Sequence, residues 1–433
     1  MPTQQAAQHA RRTRAQQALA VAGVDAGKFR HAMVVRVRGR PDSKPLLFDT
    51  TRPGFEQAVQ AIRAMLPPAA EGEVLVGVEF AGAYGFTFAH YLHALGAVAG
   101  VRFGVVSVLP MHTKRWKEVT HRQPLKTDAK DAVGIADLAG QGHYVGFPFL
   151  APAYAELRHL LSARERLSTL RRGVISRLRS TLDVVFPEFG TVFGSLARPT
   201  ARAVLAAFPG PDALLAAKPL HVRRVLRAAS RNHGVKETYA ALIEAARTTV
   251  ALPVAQGALA AEVPLLVGRL DLYEAQLKAL EDLMRERLEG LDAARALLTV
   301  PKVAPVTAAA FLGSLGDPRA YTSAQEVLAL AGLTLVERSS GVHQGERRIS
   351  KRGRPVLRKH AHLFAVRSVQ LDGLFRAEYE ALLARNGGKP APALTALARR
   401  GLRLFFSVAR RGTPWTPDAP ARQGPSGAVG GPA

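Results

Sequence analysis

Two carboxylates at a spacing of three, Asp128 and Asp131 in Pro124-Leu-Lys-Thr-Asp-Ala-Lys-Asp-Ala132, are the residues of this chain most suggestive of chemistry. If Thr127 caps a helix that begins at Asp128, positions three apart share a face, and one divalent cation can use both carboxylates. Read in isolation, with Lys126 and Lys130 beside them, the stretch favours a plainer account: a solvated first turn whose acids complement the helix dipole. Two further acids weigh against it. Ala20-Val-Ala-Gly-Val-Asp25 and Val74-Leu-Val-Gly-Val-Glu79 are both apolar runs that end in a carboxylate, as expected of central strands. A lone charge buried at such a place is costly, so each acid needs a partner. Either one alone reads as an ordinary turn acid at a strand end. Asp25, Glu79, Asp128 and Asp131 together make a set of hard oxygen donors suited to Mg2+, and two such ions can activate an attacking oxygen and stabilise a leaving one in phosphoryl transfer.

An α/β domain must position these acids. Ala26-Gly27-Lys28 turns the first strand into a second over residues 31–38, and residues 54–65 read as a helix before the strand that carries Glu79. A helix over 84–95 and a strand over 101–108 then lead to the Asp128 stretch. Residues 80–101 are 22 in a row without a formal charge, long enough to raise the question of a membrane span. Gly82, Gly85, Gly96, Gly100, His90 and His93 within it point instead to a buried helix and strand, so a soluble protein is expected. Residues 1–17 are polar and basic, read as a mobile arm, and lack the apolar core of a secretory signal.

Downstream the texture is helical. Residues 153–185 carry a stripe of Leu157, Leu160, Leu161, Leu167, Leu170, Ile175, Leu178 and Leu182, together with Arg158, Arg164, Arg166, Arg171, Arg172, Arg177 and Arg179. Such a helix suits either a nucleic-acid backbone or a partner helix. A second long helix is expected over 258–289, where Leu265, Leu272, Leu280 and Leu283 fit a hairpin, a dimer arm or plain core packing. Thr299-Val-Pro-Lys-Val-Ala-Pro305 is the kind of turn a helix-hairpin-helix clip on DNA backbone would use. Arg347, Arg348, Lys351, Arg352, Arg354, Arg358 and Lys359, clustered around Gly353, are the densest phosphate-binding candidates.

Composition points the same way. With 59 Lys and Arg against 34 acids the net charge is +25, which implies a polyanionic partner, most commonly nucleic acid. No cysteine is present, so disulfides, Cys-type zinc sites and Cys nucleophiles are excluded. Aromatic residues make up only 6%, too few for base stacking to dominate, although Trp116 in the basic segment 112–122 is placed to stack.

Together these residues resemble the DEDD transposases of bacterial insertion sequences, the family described as bridge-RNA-guided recombinases. The matching pieces are the strand with Asp25, Gly77-Val-Glu79, Lys126-Thr-Asp-Ala-Lys-Asp131-Ala, Ala331-Gly-Leu333, Ser339-Ser-Gly341 and Ile349-Ser-Lys-Arg-Gly353. They occur in the family's order. The resemblance implies a basic arm (1–17), an α/β ribonuclease H/RuvC-like domain (18–150), an α-helical coiled-coil linker (151–290), a mainly α-helical transposase domain (291–375), a C-terminal helical segment (376–411) and a disordered tail (412–433). It also implies that Asp25, Glu79, Asp128 and Asp131 bind Mg2+ near the scissile phosphate. Ser340, or its neighbour Ser339, would be the nucleophile that forms a phosphoserine link to DNA. Ser340 is the better match because it directly precedes the glycine. The site would be composite, assembled from two domains and from more than one subunit.

The partners the resemblance implies are double-stranded DNA at element ends and target, a structured guide RNA, and further copies of the chain in a homodimer or a tetramer built as a dimer of dimers. No membrane partner is implied, and the expected location is the bacterial cytoplasm, at the nucleoid. The chain departs from the family pattern at Lys302 and Ala304, where glycines are usual, at Leu335, where a proline is usual, and at Arg354, where an asparagine is usual. Those departures bear on the DNA grip of the second domain and leave the serine untouched. Two other readings stand beside this one: a metal-dependent junction-resolving nuclease with no covalent intermediate, and a non-catalytic nucleic-acid-binding derivative. Retention of all four acids speaks against the second, since a pure binder gains by removing negative charge near phosphate.

Overall fold

The computed structural model describes residues 4–79, 84–120, 127–147, 149–252, 256–336, 348–370 and 373–417. The chain divides into two compact units, Met1–Phe149 and Leu150–Ala433. The first is mixed α/β. Strands β1 (Ala20–Ala26), β2 (Arg30–Val37), β3 (Leu46–Asp49), β4 (Gly72–Glu79), β5 (Ala97–Val98), β6 (Val101–Val108) and β7 (Val145–Gly146) form one sheet in the order β3-β2-β1-β4-β6-β5, with β7 also on β6. β1, β4 and β6 run parallel, and β2 and β3 extend the sheet antiparallel.

Helices α1 (Gln4–Gln17), α2 (Arg52–Ala64), α3 (Tyr84–Leu95), α4 (Pro110–Thr120) and α5 (Asp128–Gly140) complete this unit. Central parallel strands are covered on both faces, which is why β1 and β4 read as unbroken apolar runs. Successive residues of β1 serve opposite faces. Ala20, Ala22 and Val24 pack with Phe55 of α2 and Phe88 of α3. Val21 packs with Ile135 and Leu138 of α5. The uncharged stretch holds α3 and β5, and among the described residues no helix is long and apolar enough to cross a membrane.

The mobile arm expected at the N-terminus is corrected by the fold. Residues 4–17 form α1, which docks through buried Ala15, an Arg14–Glu73 ion pair at 2.7 Å, and the Tyr144 hydroxyl donating to the Arg11 carbonyl at 3.0 Å. A polar helix held by one small apolar residue and a few side-chain contacts leaves almost no trace in composition.

The second unit is mostly helical. It runs through α6 (Pro152–Val185), five helices α7 (Phe189–Phe193), α8 (Pro199–Ala207), α9 (Pro211–Ala216), α10 (Pro219–Ser230) and α11 (Val235–Arg247), and then α12 (Gln256–Glu289). After α12 come α13 (Asp292–Leu298), α14 (Pro305–Leu315), α15 (Ala324–Leu330), a two-stranded ribbon of β8 (Leu335–Val336) and β9 (Arg348–Ile349), α16 (Pro355–Ser368), α17 (Arg376–Arg385) and α18 (Pro390–Arg411). At 34 residues each, α6 and α12 are about 50 Å long, and each contributes to two separate cores. Leu157 and Leu161 of α6 join Met284 and Leu288 of α12 and the helices α13 to α18. Leu178 and Leu182 join Val263, Val267 and Leu270 and the shorter helices.

Along their length the two helices are also tied by charge. Arg164 pairs with Glu281 at 2.7 Å, Arg171 with Glu274 at 2.6 Å and Arg177 with Glu262 at 2.8 Å, an antiparallel ladder. Of the two roles open to the arginines of α6, these three therefore serve a partner helix. Of the three readings open to the leucines of α12, core packing fails for Leu265, Leu272 and Leu283. Leu265, Leu272 and Leu283 are 71%, 53% and 42% exposed, because the core-facing row of α12 is Val263, Leu266, Val267, Leu270, Leu277, Met284 and Leu288. Counting leucines alone missed the valines and the methionine that set the buried face. In the described part of the tail, the Trp415 amide donates to the Thr299 hydroxyl at 2.7 Å and its ring packs on the core, so the chain is anchored beyond Gly412.

Candidate active site

β1 and β4, neighbours in the middle of the sheet, end together at the same end of it, since Gly23 pairs with Gly77 and Val24 with Val78 in parallel register. The next residues are Asp25 and Glu79. By strand alternation each acid shares a face with the glycine two positions before it, and that face is the one covered by α5. The glycines let the helix lie at backbone contact. A Cβ on Gly23 would stand 2.2 Å from the Ala132 carbonyl oxygen and 2.3 Å from the Ala136 nitrogen, and one on Gly77 would stand 3.0 Å from the Ala139 methyl. Thr127 caps α5 in extended conformation and its hydroxyl accepts from the Lys130 amide at 3.4 Å, which starts the helix at Asp128. The first turn of α5 thereby brings Asp128 and Asp131 to the ends of both strands.

Asp25 registers the result. Burial first, and then repulsion from Asp131, Glu79 and Asp128, push its carboxyl from 3.8 up to about 6, with Lys117 acting in the opposite sense. Helix α4 supplies the remaining contacts. The Lys117 ammonium donates to Asp131 Oδ2 at 2.7 Å, where Asp131 is only 6% exposed, and the Thr113 hydroxyl donates to Glu79 Oε1 at 2.7 Å. Among the described residues, no three carboxylate or imidazole groups are drawn together as a finished metal shell. The chemistry of the donors does fit a hard divalent cation. Asp25, Glu79, Asp128 and Asp131 are all hard oxygen donors, and the repulsion by which the other three raise Asp25 is what a bound cation would relieve.

Lys130 lies half-buried in the first turn of α5. Lys126, Ser339, Ser340 and Arg347 fall outside the described residues. The segment 337–347 with both serines connects β8 to β9, and the base of that connection is well tied. Ser350 donates its amide to the Thr334 carbonyl at 2.8 Å and Lys351 its amide to the Gly332 carbonyl at 2.9 Å. A Cβ on Gly353 would lie 2.6 Å from the Gly332 nitrogen, so Ala331-Gly-Leu333 and Ile349-Ser-Lys-Arg-Gly353, separate in sequence, meet through their glycines.

The basic residues of this region divide into two groups. Arg358 donates to the Ala331 carbonyl at 2.8 Å, Lys359 pairs with Glu165 at 2.5 Å, and Arg354 is held below its ordinary value by burial. Arg358 thus braces the turn, Lys359 ties α16 to α6, and Arg354 is partly buried. Arg348, Lys351 and Arg352 are exposed. The Trp116 ring is partly buried and packs on α5, where a Cβ on Gly134 would come within 2.6 Å of it. Sequence reasoning passed over Gly23, Gly77, Thr113 and Lys117. The repeated Gly-Val-acid ending of β1 and β4 was the signal for the glycines; nothing local marked the two residues of α4.

Residues 22–187 match a DEDD transposase model of the IS110 type, and residues 294–380 match the transposase IS116/IS110/IS902 family. The first match contains all four acids and the second contains the serine segment. The chain belongs to the IS110 family of DEDD transposases. The insertion element IS116 44.8 kDa protein of Streptomyces clavuligerus is 30% identical over 304 residues, 69% of this chain and 74% of that one. The insertion element IS900 42 kDa protein of Mycobacterium paratuberculosis is 29% identical over 395 residues, 90% of this chain and 95% of its own length. The mini-circle putative transposase for IS117 of Streptomyces coelicolor is 27% identical over 301 residues, 65% of this chain and 71% of that protein. This chain is thus an insertion-sequence transposase, an enzyme of DNA recombination.

Proposed function

We propose that this transposase cuts and rejoins DNA through a serine–phosphate intermediate, with Mg2+ held by Asp25, Glu79, Asp128 and Asp131 in a RuvC-like domain. The observation that carries the reading is that acids of β1, β4 and the first turn of α5 gather at the same end of the sheet, close enough for three of them to raise the fourth. Bound there, the cation would supply Lewis-acid stabilisation of charge on the phosphate oxygens. The residues of the chain do the rest. Asp25 and Glu79 are fixed by their strands, Asp128 and Asp131 by a capped helix turn, and the glycine contact holds the two sets together.

Ser340, or Ser339, provides the hydroxyl. The hydroxyl gives up its proton as its oxygen attacks the scissile phosphorus, an Oγ–P bond forms, the bond from phosphorus to one deoxyribose oxygen breaks, and that oxygen takes up a proton in turn. Attack by a free strand end on the phosphoserine reverses these steps and rejoins DNA. Arg348, Lys351 and Arg352, exposed at the base of the serine segment, grip backbone phosphate. A structured guide RNA chooses the sites by base pairing, the working assembly is a dimer of dimers with a coiled-coil linker, and the setting is the bacterial nucleoid. Net charge of +25 supports a partner with many phosphates.

The test is an adduct assay. Protein co-expressed with the DNA flanking its coding region is mixed with labelled duplex element ends and Mg2+, then denatured. A labelled protein band lost in both Ser340→Ala and Asp25→Ala is the expected result. Retention in Ser340→Ala with loss in Ser339→Ala moves the role to the neighbour. Cut DNA with no adduct at any time would overturn the serine route in favour of hydrolysis.

A further inference from the structure

Helix α4 reaches the acid cluster with two side chains one turn apart, Thr113 and Lys117, and each engages a different acid. Thr113 is 4% exposed and Asp131 6% exposed, so neither contact is a passing surface encounter. The ammonium is bonded to Asp131, and its field also reaches Asp25. The Trp116 ring, seated on α5 at Gly134, fixes the rotation of α4 that aims Lys117 inward. A cation tethered to the fold therefore already occupies one corner of the cluster.

We propose that Lys117 is a built-in counter-ion for the candidate metal site: it neutralises Asp131 in the metal-free protein, must withdraw for a divalent cation to use that carboxylate, and so sets the cation's affinity. The inference rests on the acid cluster being the metal site. The physical reason is competition. An ammonium and a divalent ion seek the same oxygen, and two cations at a few ångströms repel each other in a partly buried setting where solvent screens little. Lys117 is then a positioning and affinity-setting residue, and Thr113 orients Glu79 for the same event.

Mn2+ titration by calorimetry on the full chain tests this without reference to turnover. Lys117→Met keeps the length of the side chain and removes its charge; Lys117→Arg keeps the charge; Asp25→Asn is the control for the site itself. The expected result is Mn2+ binding at least about tenfold tighter in Lys117→Met than in the wild type, near wild-type binding in Lys117→Arg, and strong loss in Asp25→Asn. Metal-free melting should fall in Lys117→Met and be recovered by Mn2+, because the acids lose their internal cation. Equal or weaker Mn2+ binding in Lys117→Met, with Asp25→Asn still disruptive, would overturn the counter-ion role and leave the metal site standing. Mn2+ binding untouched by Asp25→Asn would overturn both. Should Lys117→Met not fold, Lys117→Gln titrated alongside Gly134→Ala, which displaces Trp116 and with it α4, decides the question: unchanged affinity in both overturns the proposal.

Discussion

Adding one methyl group at Gly23 should cost this transposase both stability and cleavage. In Gly23→Ala the new Cβ meets backbone on two sides, 2.2 Å from the Ala132 oxygen and 2.3 Å from the Ala136 nitrogen. Neither atom can swing aside as a side chain would. To bring the nearer contact out to 3.0 Å, α5 must retreat by roughly 0.8 Å, or β1 must bend by as much. Overpacking of a tight core costs about 1–3 kcal/mol, and contact with fixed helix backbone on two atoms places this case near about 3 kcal/mol. For a unit of this size that is a fall in melting temperature of about 6–12 °C. The same displacement carries Asp128 and Asp131 away from Asp25 and Glu79, and a misplacement approaching 1 Å costs on the order of 100-fold in rate. Thermal melts and strand cleavage of labelled element ends measure the two effects. Gly140→Ala, at the end of α5 itself, is the control: nothing lies within 4 Å of its Cβ, and Ala in place of Gly in a helix gains up to about 0.5–1 kcal/mol. If Gly23→Ala melts and cleaves as the control does, the glycine contact does not position the acids and the reasoning is refuted.

Four further outcomes follow from the described contacts. Because the Asp25 carboxyl is raised to about 6 by burial and its acidic neighbours, the folded state holds that proton more tightly than the unfolded chain. The metal-free protein should therefore lose stability as pH rises from about 4 to about 6, while Mn2+ binding strengthens over the same window, and Asp25→Asn should flatten the first trend in melts across pH. The Glu165 carboxyl is depressed to about 2 by its hydrogen bond with the His360 ring and then by Lys359, so its stabilising effect is present above the ordinary value of 4.5 and disappears as pH falls towards about 2; Glu165→Gln should remove that acid-side dependence. Arg158 donates to the Gly313 carbonyl at 2.8 Å and the Ser314 carbonyl at 3.1 Å at the end of α14, and Arg158→Ala should cost about 2–3 kcal/mol in denaturant unfolding. Lys302 adopts φ of 65°, a left-handed conformation unfavourable for a side chain, so Lys302→Gly should shift the midpoint upward by about 0.5 kcal/mol once the entropy of glycine is offset.

What could be read from the chain and what could not divides by the range of the interaction. β1 and β4 were legible because a strand buried on both faces must be apolar at every position, and the cap of α5 was legible because Thr127 serves its own helix. The closeness of α5 to the sheet was encoded too, in the glycine two residues before each acid, but only the pairing of Gly23 with Gly77 gives that repeat its meaning. By contrast α1 rests on Ala15 and on side chains that find Glu73 and Tyr144 far along the chain, and no local pattern announces such partners. The same holds for Arg358 and Lys359, which read as phosphate ligands and are engaged with the Ala331 carbonyl and with Glu165.

The basic segment before Asp128 carries the sharpest form of that lesson. Residues 112–122 read as one basic segment with Trp116 placed to stack, a reading that takes charge as a property of the stretch. A helix sorts its side chains by angle instead. Lys114 and Arg115 of α4 are exposed, whereas Trp116 turns onto α5 and Lys117 turns to Asp131. One short run thus offers cations to an outside polyanion and one cation to the protein's own acids. Removing the outward pair should weaken DNA binding and lower its salt dependence by about one charge each, with Mn2+ affinity unchanged. Removing Lys117 should do the reverse. The two phenotypes are separable in the same purified protein because the helix, not the composition, assigns each charge its partner.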